Sequence, residues 1–334
     1  MIKFGILGYG FMGQAHLGGL AANGSSNAEY VAVCGRDKEK CDAFAGQHGL
    51  KAYYDFGEML ADDGIDVIDI CTPSFIHEEF AVAAAKAKKH ILIEKPIALS
   101  MEAAQNIFRA ANENGVKAMV AQPLRFWPEY VKIKELVDDG TLGDIVTIYA
   151  GRLGQMPTWA DWYKDPEKSG ETLMNLTLHD IDYVHFLLGK PKSIYSAGSK
   201  DQYGSYNDVM NVIKFENGTN VLVDGSLSMT PGYPFTMHMR VLGTKGAVEF
   251  SYKAGENIDA ESSKASLALY LPDKGAVELD HESYDAYGRE IQYFADCVEN
   301  DTAPDVISEE SILTVLGSIL KAKESLRTGE VYEL

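Results

Sequence analysis

Ile2-Lys3-Phe4-Gly5-Ile6-Leu7-Gly8-Tyr9-Gly10-Phe11-Met12-Gly13 decides the fold of this chain. The apolar residues Ile2, Phe4, Ile6 and Leu7 predict a short strand, and residues 14–22 predict a helix. Between them lies a G-x-G-x-x-G fingerprint in the strand–turn–helix context that makes it meaningful. Gly8 permits the tight turn, Gly10 lets the backbone approach a pyrophosphate, and Gly13 lets helix and strand pack closely. The helix start, at Phe11 and Met12, then offers free N–H groups and a positive dipole end to phosphates. A dinucleotide is the expected ligand.

Working outward, residues 1–122 alternate strand-like and helix-like segments, the pattern of a parallel sheet with crossover helices. Strands are expected at residues 30–34, 67–71, 90–93 and 116–120, and helices at 37–48, 78–88 and 101–114, the last with Ser100 as N-cap. The strands are rich in Val and Ile with few polar breaks, so both sheet faces should be buried. From about residue 145 the character changes to longer strands at 145–152, 209–215, 220–228, 236–242 and 247–252. Asn217-Gly218 is a strong hairpin signal, and two late helices are expected at 286–299 and 309–328. The expected architecture is therefore α/β: an N-terminal doubly wound domain, residues 1–122, and a C-terminal α+β domain, residues 123–334, with an open, mostly antiparallel sheet. The tight boundary makes a cleft between the two the default ligand site.

Composition narrows the function. Of 334 residues, 46% are hydrophobic and 24% charged, as in a soluble globular protein. A formal charge of -19 argues against nucleic acid or an anionic membrane as partner, because phosphates are repelled by such a surface. The four cysteines lack pair or framework spacing; Cys34 and Cys71, in apolar runs, are expected to be buried thiols. With neither a secretory leader pattern nor a spanning apolar run, the expected compartment is the cytoplasm.

Three clusters look chemical. Thr72-Pro73 ends a strand at the edge where parallel sheets meet ligands; His77 follows, either as a backbone brace at a helix start or as a cofactor contact. Glu94-Lys95-Pro96 ends the next buried strand, and a lysine there can donate to a substrate hydroxyl. Asn175 and His179, spaced i, i+4, share one helix face, and the histidine suits acid–base work. His179, Asp182 and His185 drift around that helix and lack further ligands at metal spacing, so a metal is not expected. Trp159, Trp162 and Tyr163 can stack on a sugar ring or serve as core, and the 198–206 segment can form a substrate loop. Arg125, beside Phe126 and Trp127, is either a substrate contact or a buried anchor.

The fingerprint, Thr72-Pro73 with His77, Glu94-Lys95-Pro96, residues 122–125 and Ser169-Gly170 before a helix carrying His179 occur in a telling order. Together they resemble the glucose–fructose oxidoreductase/inositol dehydrogenase (Gfo/Idh/MocA) family over essentially the whole chain, including the closing Gly329-Glu330-Val331. The resemblance implies an NAD(P)-dependent oxidoreductase that moves a hydride between nicotinamide and a secondary alcohol or ketone of a sugar, polyol or inositol-like substrate. It implies that Lys95 hydrogen-bonds the reacting hydroxyl, that His179 exchanges its proton, that Glu94 lies near the nicotinamide ribose with Gln122 also on the cofactor side, and that Pro96 is cis. A family aspartate is replaced by Asn175, which can orient but not carry charge; on that basis Asn175→Asp should move the acid limb of the pH–rate profile upward. The same site could serve a tightly bound, internally recycled cofactor that assists elimination or epimerisation, or a sensor without turnover.

Cofactor choice turns on the second strand. Gly35 stands where an acidic residue about 20 residues past the glycines would bind the ribose 2′-OH. Arg36 follows and favours a 2′-phosphate, hence NADP, whereas Asp37 as a displaced acceptor would favour NAD. Phe235, Met237, Met239 and Val241 form an apolar face covered either by the chain's own helices or by another subunit. Similar proteins are often homodimers or homotetramers.

Overall fold

The computed structural model describes residues 1–158, 160–254 and 263–334. They form two compact units, Met1–Trp127 with Ser283–Leu313, and Pro128–Glu282 with Thr314–Leu334.

The first unit is built on six parallel strands: β1 (Ile2–Leu7), β2 (Ala28–Cys34), β3 (Lys51–Tyr53), β4 (Val67–Ile70), β5 (His90–Ile93) and β6 (Ala118–Val120). Their order is β3-β2-β1-β4-β5-β6, so the winding direction reverses at β1 and β4. Phe4, Ile6, Val67, Ile68, Ile70, Ile91, Leu92 and Ile93 are fully buried, as expected of a sheet covered on both faces. The crossover helices are α1 (Phe11–Asn23), α2 (Lys38–His48), α3 (Phe56–Leu60), α4 (His77–Lys86) and α5 (Met101–Asn114). Local chemistry sets their ends. The Ser100 side chain accepts from the Ala103 N–H to start α5, and Gly115, in left-handed conformation, stops it.

The second unit holds α6 (Pro128–Asp138), β7 (Ile145–Leu153), α7 (Pro166–Ser169), α8 (Leu178–Leu188) and β8 (Pro191–Lys200). The chain continues through β9 (Tyr206–Phe215), β10 (Asn220–Ser226), β11 (Thr236–Gly243), β12 (Ala247–Lys253), β13 (Lys264–Leu271) and β14 (Gly275–Glu278). Helix α9 (Ala286–Glu299) returns to the first unit, and α10 (Glu309–Thr328) and β15 (Tyr332–Glu333) finish the chain. The nine-stranded sheet runs β14-β13-β12-β11-β7-β10-β9-β8-β15. It is mostly antiparallel, with β7 and β10 parallel. The Asn217-Gly218 turn joins the antiparallel pair β9 and β10, with Gly218 at φ 90. Residues 191–200 belong to β8 rather than to the expected loop at 198–206, which shrinks to a turn at 201–205.

Alternation along β9 sorts the two faces: Val209, Ile213 and Phe215 are buried while Met210 and Val212 are exposed. Met237, Met239 and Val241 lie on the buried face. The chain's own helices cover it, as the Tyr130 ring of α6 packs edge-on against Phe250 and Tyr183. Of the two occupants expected for this apolar face, the structure therefore selects the chain itself.

Candidate active site

Gly8 adopts φ 99, and a Cβ there would lie 2.8 Å from the Cys71 carbonyl oxygen. A Cβ on Gly13 would lie 2.2 Å from the Gly8 carbonyl oxygen, so only glycine lets α1 close on β1. Gly10 differs, because a Cβ there meets nothing within 4 Å. Its surroundings are open where a pyrophosphate would approach. Helix α1 starts after Gly10 with no side-chain cap and no acidic residue in its first turn. Its leading amides are thus left for an external acceptor, and the residues present fit a dinucleotide.

Beyond β2 the missing acid has a packing reason. A Cβ on Gly35 would sit 2.0 Å from Cε1 of Tyr9, whose ring fills that space. The Tyr9 hydroxyl donates to the Asp37 carbonyl at 3.1 Å, and its ring stacks on Phe44 at 5.9 Å. Asp37 caps α2, accepting from the Lys40 N–H at 3.2 Å, and this bond holds its carboxyl below the usual range. Arg36 is exposed.

At the carboxyl edge of β4 and β5, Thr72, Pro73 and Lys95 keep partial exposure. The Thr72 hydroxyl oxygen is buried with no hydrogen-bond partner among the described residues. His77 is the brace: it is fully buried, with Nδ1 2.9 Å from the Pro96 carbonyl oxygen and Nε2 2.9 Å from that of Thr72. Both ring edges are taken up by main chain, which corrects its reading as a cofactor contact. The Lys95–Pro96 peptide is cis.

Beneath this edge lies a buried polar cluster. The Lys95 N–H donates to Glu94 Oε2 at 3.0 Å, and Glu94 Oε1 is 3.1 Å from His16 Nε2. His16 Nδ1 is 2.9 Å from Asp69 Oδ2, which also accepts from the Tyr30 hydroxyl at 2.6 Å. Burial opposes charge on His16, yet the Asp69 carboxylate outweighs it and the ring's pKa stands well above the ordinary value. Burial pushes Glu290 of α9 up to about 8, and its Oε1 accepts the Gln122 N–H. Cys71 is half-buried rather than buried, with Sγ 3.4 Å from Asp69 Oδ1, and burial raises its thiol well above the ordinary range. Ligand atoms of His16, Asp69 and Cys71 lie within 4.8 Å of one another, but at hydrogen-bonding contacts that read as a proton-sharing network.

In the second unit, Leu173–Thr177 forms a π-helix leading into α8. From Ser169 to His185 every residue is buried except Asn175 and His179, which keep partial exposure. The wider turn has a local cause, because Thr177 Oγ1 donates back to the Thr172 and Leu173 carbonyls at 3.5 and 3.4 Å. Asn175 Nδ2 donates to the Ser169 and Glu171 carbonyls at 2.8 and 3.1 Å, so its amide secures the loop before the helix. The residue after His179 anchors the helix: Asp180 accepts from Arg152 Nε at 2.8 Å and Nη2 at 3.0 Å, with both side chains buried.

Arg125 is 5% exposed, with Nη1 donating to the Val306 carbonyl at 2.5 Å, the geometry expected of the anchor among its two readings. Tyr163 stacks on Trp162 with ring centroids 3.9 Å apart. Trp159 lies outside the described residues. Sequence reasoning missed His16, Tyr30, Asp69 and Glu290. Asp69, alone among Val67, Ile68 and Ile70, carried the available signal, since a carboxylate inside a buried parallel strand demands a partner.

The fingerprint, the switch point and the strand-end lysine define a dinucleotide-dependent oxidoreductase. A family model described as "Oxidoreductase family, NAD-binding Rossmann fold" matches residues 2–122, and one for the GFO/IDH/MocA C-terminal domain matches residues 130–249. The chain belongs to the Gfo/Idh/MocA family. It is similar to D-xylose 1-dehydrogenase (NADP(+)) 2 of Haloferax volcanii, 29% identical over all of both chains. It is also similar to scyllo-inositol 2-dehydrogenase (NAD(+)) of Bacillus subtilis, 27% identical over all of this chain and 96% of the other. Aldose-aldose oxidoreductase from Caulobacter crescentus shares the fold at a TM-score of 0.88 and 20% identity, over 100% of this chain and 99% of the other.

Proposed function

We propose that this NAD(P)-dependent oxidoreductase moves a hydride between nicotinamide C4 and a CH–OH carbon of a sugar, polyol or inositol-like substrate, with Lys95 and His179 serving the hydroxyl. The nicotinamide supplies the hydride chemistry when bound. Lys95 donates to the substrate oxygen and stabilises it as the proton leaves; His179 takes or returns that proton; Asn175 secures the turn that carries His179. Nucleotide binding is assigned to residues 1–122 through Gly8, Gly10, Phe11, Met12, Gly13, Gly35, Arg36, Thr72 and Pro73, and substrate binding to residues 123–334. The single observation that carries the reading is Lys95, partly exposed where β5 ends, with its own N–H held by Glu94.

NADP is the favoured cofactor. Asp37 is committed to capping α2, and Arg36 is the exposed cation beside Gly35. The open face of the second sheet, with Met210, Val212, Tyr195, Leu242 and Tyr270 exposed, is the face offered to a second copy in a homodimer or homotetramer. No helix among the described residues is long and apolar enough to cross a membrane. The cytoplasm is the compartment we assign, on the four cysteines that lie free rather than paired.

The test is nicotinamide absorbance across sugars, inositols and their keto forms, with both nucleotides. Lys95→Ala is expected to lower kcat by about 10²–10⁴-fold, and Arg36→Ala to raise KM for NADPH far more than for NADH. A Lys95→Ala enzyme that keeps its full rate would falsify the assignment.

A further inference from the structure

We propose that His16 is a positioning residue for the reaction: it fixes the reach of the Lys95 amine through Glu94, without itself touching substrate. The inference rests on Lys95 as the hydroxyl donor. Its basis is a continuous chain of contacts. One Glu94 carboxylate spans both ends, with Oε1 on His16 Nε2 and Oε2 on the Lys95 main-chain N–H. Behind His16 stands Asp69, itself held by the Tyr30 hydroxyl.

The ring meets a carboxylate oxygen at each nitrogen. A neutral imidazole carries one N–H and leaves the other nitrogen facing an anion, whereas an imidazolium satisfies both. His16 and Asp69 are 0% exposed and Glu94 is 5% exposed, so neither carboxylate has water to replace the cation. Without His16 the two buried carboxylates must share a proton or move apart, and the one free to move is Glu94 on its longer stem. Lys95 lies past the end of β5, beyond the ladder that fixes Ile93, and its N–H bond to Glu94 is one of the restraints on it, beside the His77 brace on the Pro96 carbonyl. A displacement of about 1 Å at such a site costs on the order of 10²-fold in rate.

A merely structural histidine would weaken folding or nucleotide binding without regard to Lys95. The two cases separate in a double-mutant cycle. Wild type, His16→Ala, Lys95→Ala and the double variant are compared by kcat, by KM for the sugar and by NADPH affinity from fluorescence. His16→Ala is expected to lower kcat by about 10–100-fold, with sugar KM and NADPH affinity within about threefold, and to cost less than about twofold in the Lys95→Ala background. An equal loss in both backgrounds, or no loss in the first, overturns the proposal. Should His16→Ala fail to fold, His16→Leu, which fills the space but offers no donor toward Glu94, is put through the same two backgrounds, and the same outcomes support or overturn the proposal. Full activity in Lys95→Ala alone would overturn the lysine's role and the inference with it, whereas a dead Lys95→Ala beside an unaffected His16→Ala removes only His16.

Discussion

Asn175 shows how a residue can depart from its family's pattern for a local reason. Its amide donates to two main-chain carbonyls, at Ser169 and Glu171, and Glu171 already sits at φ 65. A carboxylate cannot donate, so Asn175→Asp would set an anion against both carbonyls and leave them unpaired. The expected outcome is a loss of about 1–3 kcal/mol in stability, read as a lower urea midpoint, together with slower turnover. A simple upward move of the acid limb, with stability intact, would show that the loop tolerates the charge. The residues proposed for the chemistry stand out in the sequence because of their positions: Lys95 at a strand end, His179 one helical turn after Asn175. Their supports do not. Nothing in the linear pattern ties His16 to Glu94, 78 positions on, or Gln122 to Glu290, 168 positions on.

At the level of elements, strong local signals were read to the residue. Strand His90–Ile93 and helices Met101–Asn114, Ala286–Glu299 and Glu309–Thr328 fall where periodicity and caps put them. Pro191–Lys200 went unread as a strand, since its alternation is filled by Ser, Gly and Lys rather than apolar residues, and burial comes from its partner β9. The π-turn was also hidden, because an i, i+4 pattern looks the same whether the helix is tight or wide. The buried Arg152–Asp180 ion pair ties helix α8 to β7. Arg152→Ala would strand Asp180 without its partner, and about 3–5 kcal/mol of stability should go with it. Measured by urea unfolding, a loss below about 1 kcal/mol would mean the pair is incidental. Arg152→Met with Asp180→Leu should recover much of the loss.

The whole molecule carries a pH signature from its buried acid. Glu290 titrates at about 8 when folded and in the ordinary carboxylate range when unfolded. Between those values the native state holds the extra proton, so stability should fall as pH rises from about 4.5 to about 8, and level off above. His16, with its pKa raised, pulls in the same direction from about 6.5 upward. Glu290→Gln is expected to flatten the dependence of the thermal midpoint across pH 5–8; an unchanged slope would place the proton elsewhere. The proposed self-association is tested at the same scale. Met210→Asp, at a side chain 51% exposed, is expected to leave activity per protomer measurable while sedimentation shows a smaller species. With a net charge of -19, assembly should also tighten as salt screens the repulsion.

Helix α9 lies against α1 as closely as backbones allow. A Cβ on Gly288 would fall 2.1 Å from the Gly19 carbonyl oxygen, and Asn23 exchanges two 2.8 Å hydrogen bonds with the Asp285 main chain. The sheet of the first unit is complete at Val120, yet the helix that walls it begins only at Ala286. At ribosomal speeds of about 5–20 residues per second, the early sheet must wait on the order of ten seconds or more for its last wall to leave the exit tunnel. During that interval Gly19 and its neighbours face whatever holds nascent chains. A truncated transcript would yield an unfinished barrier around His16, not a small working domain.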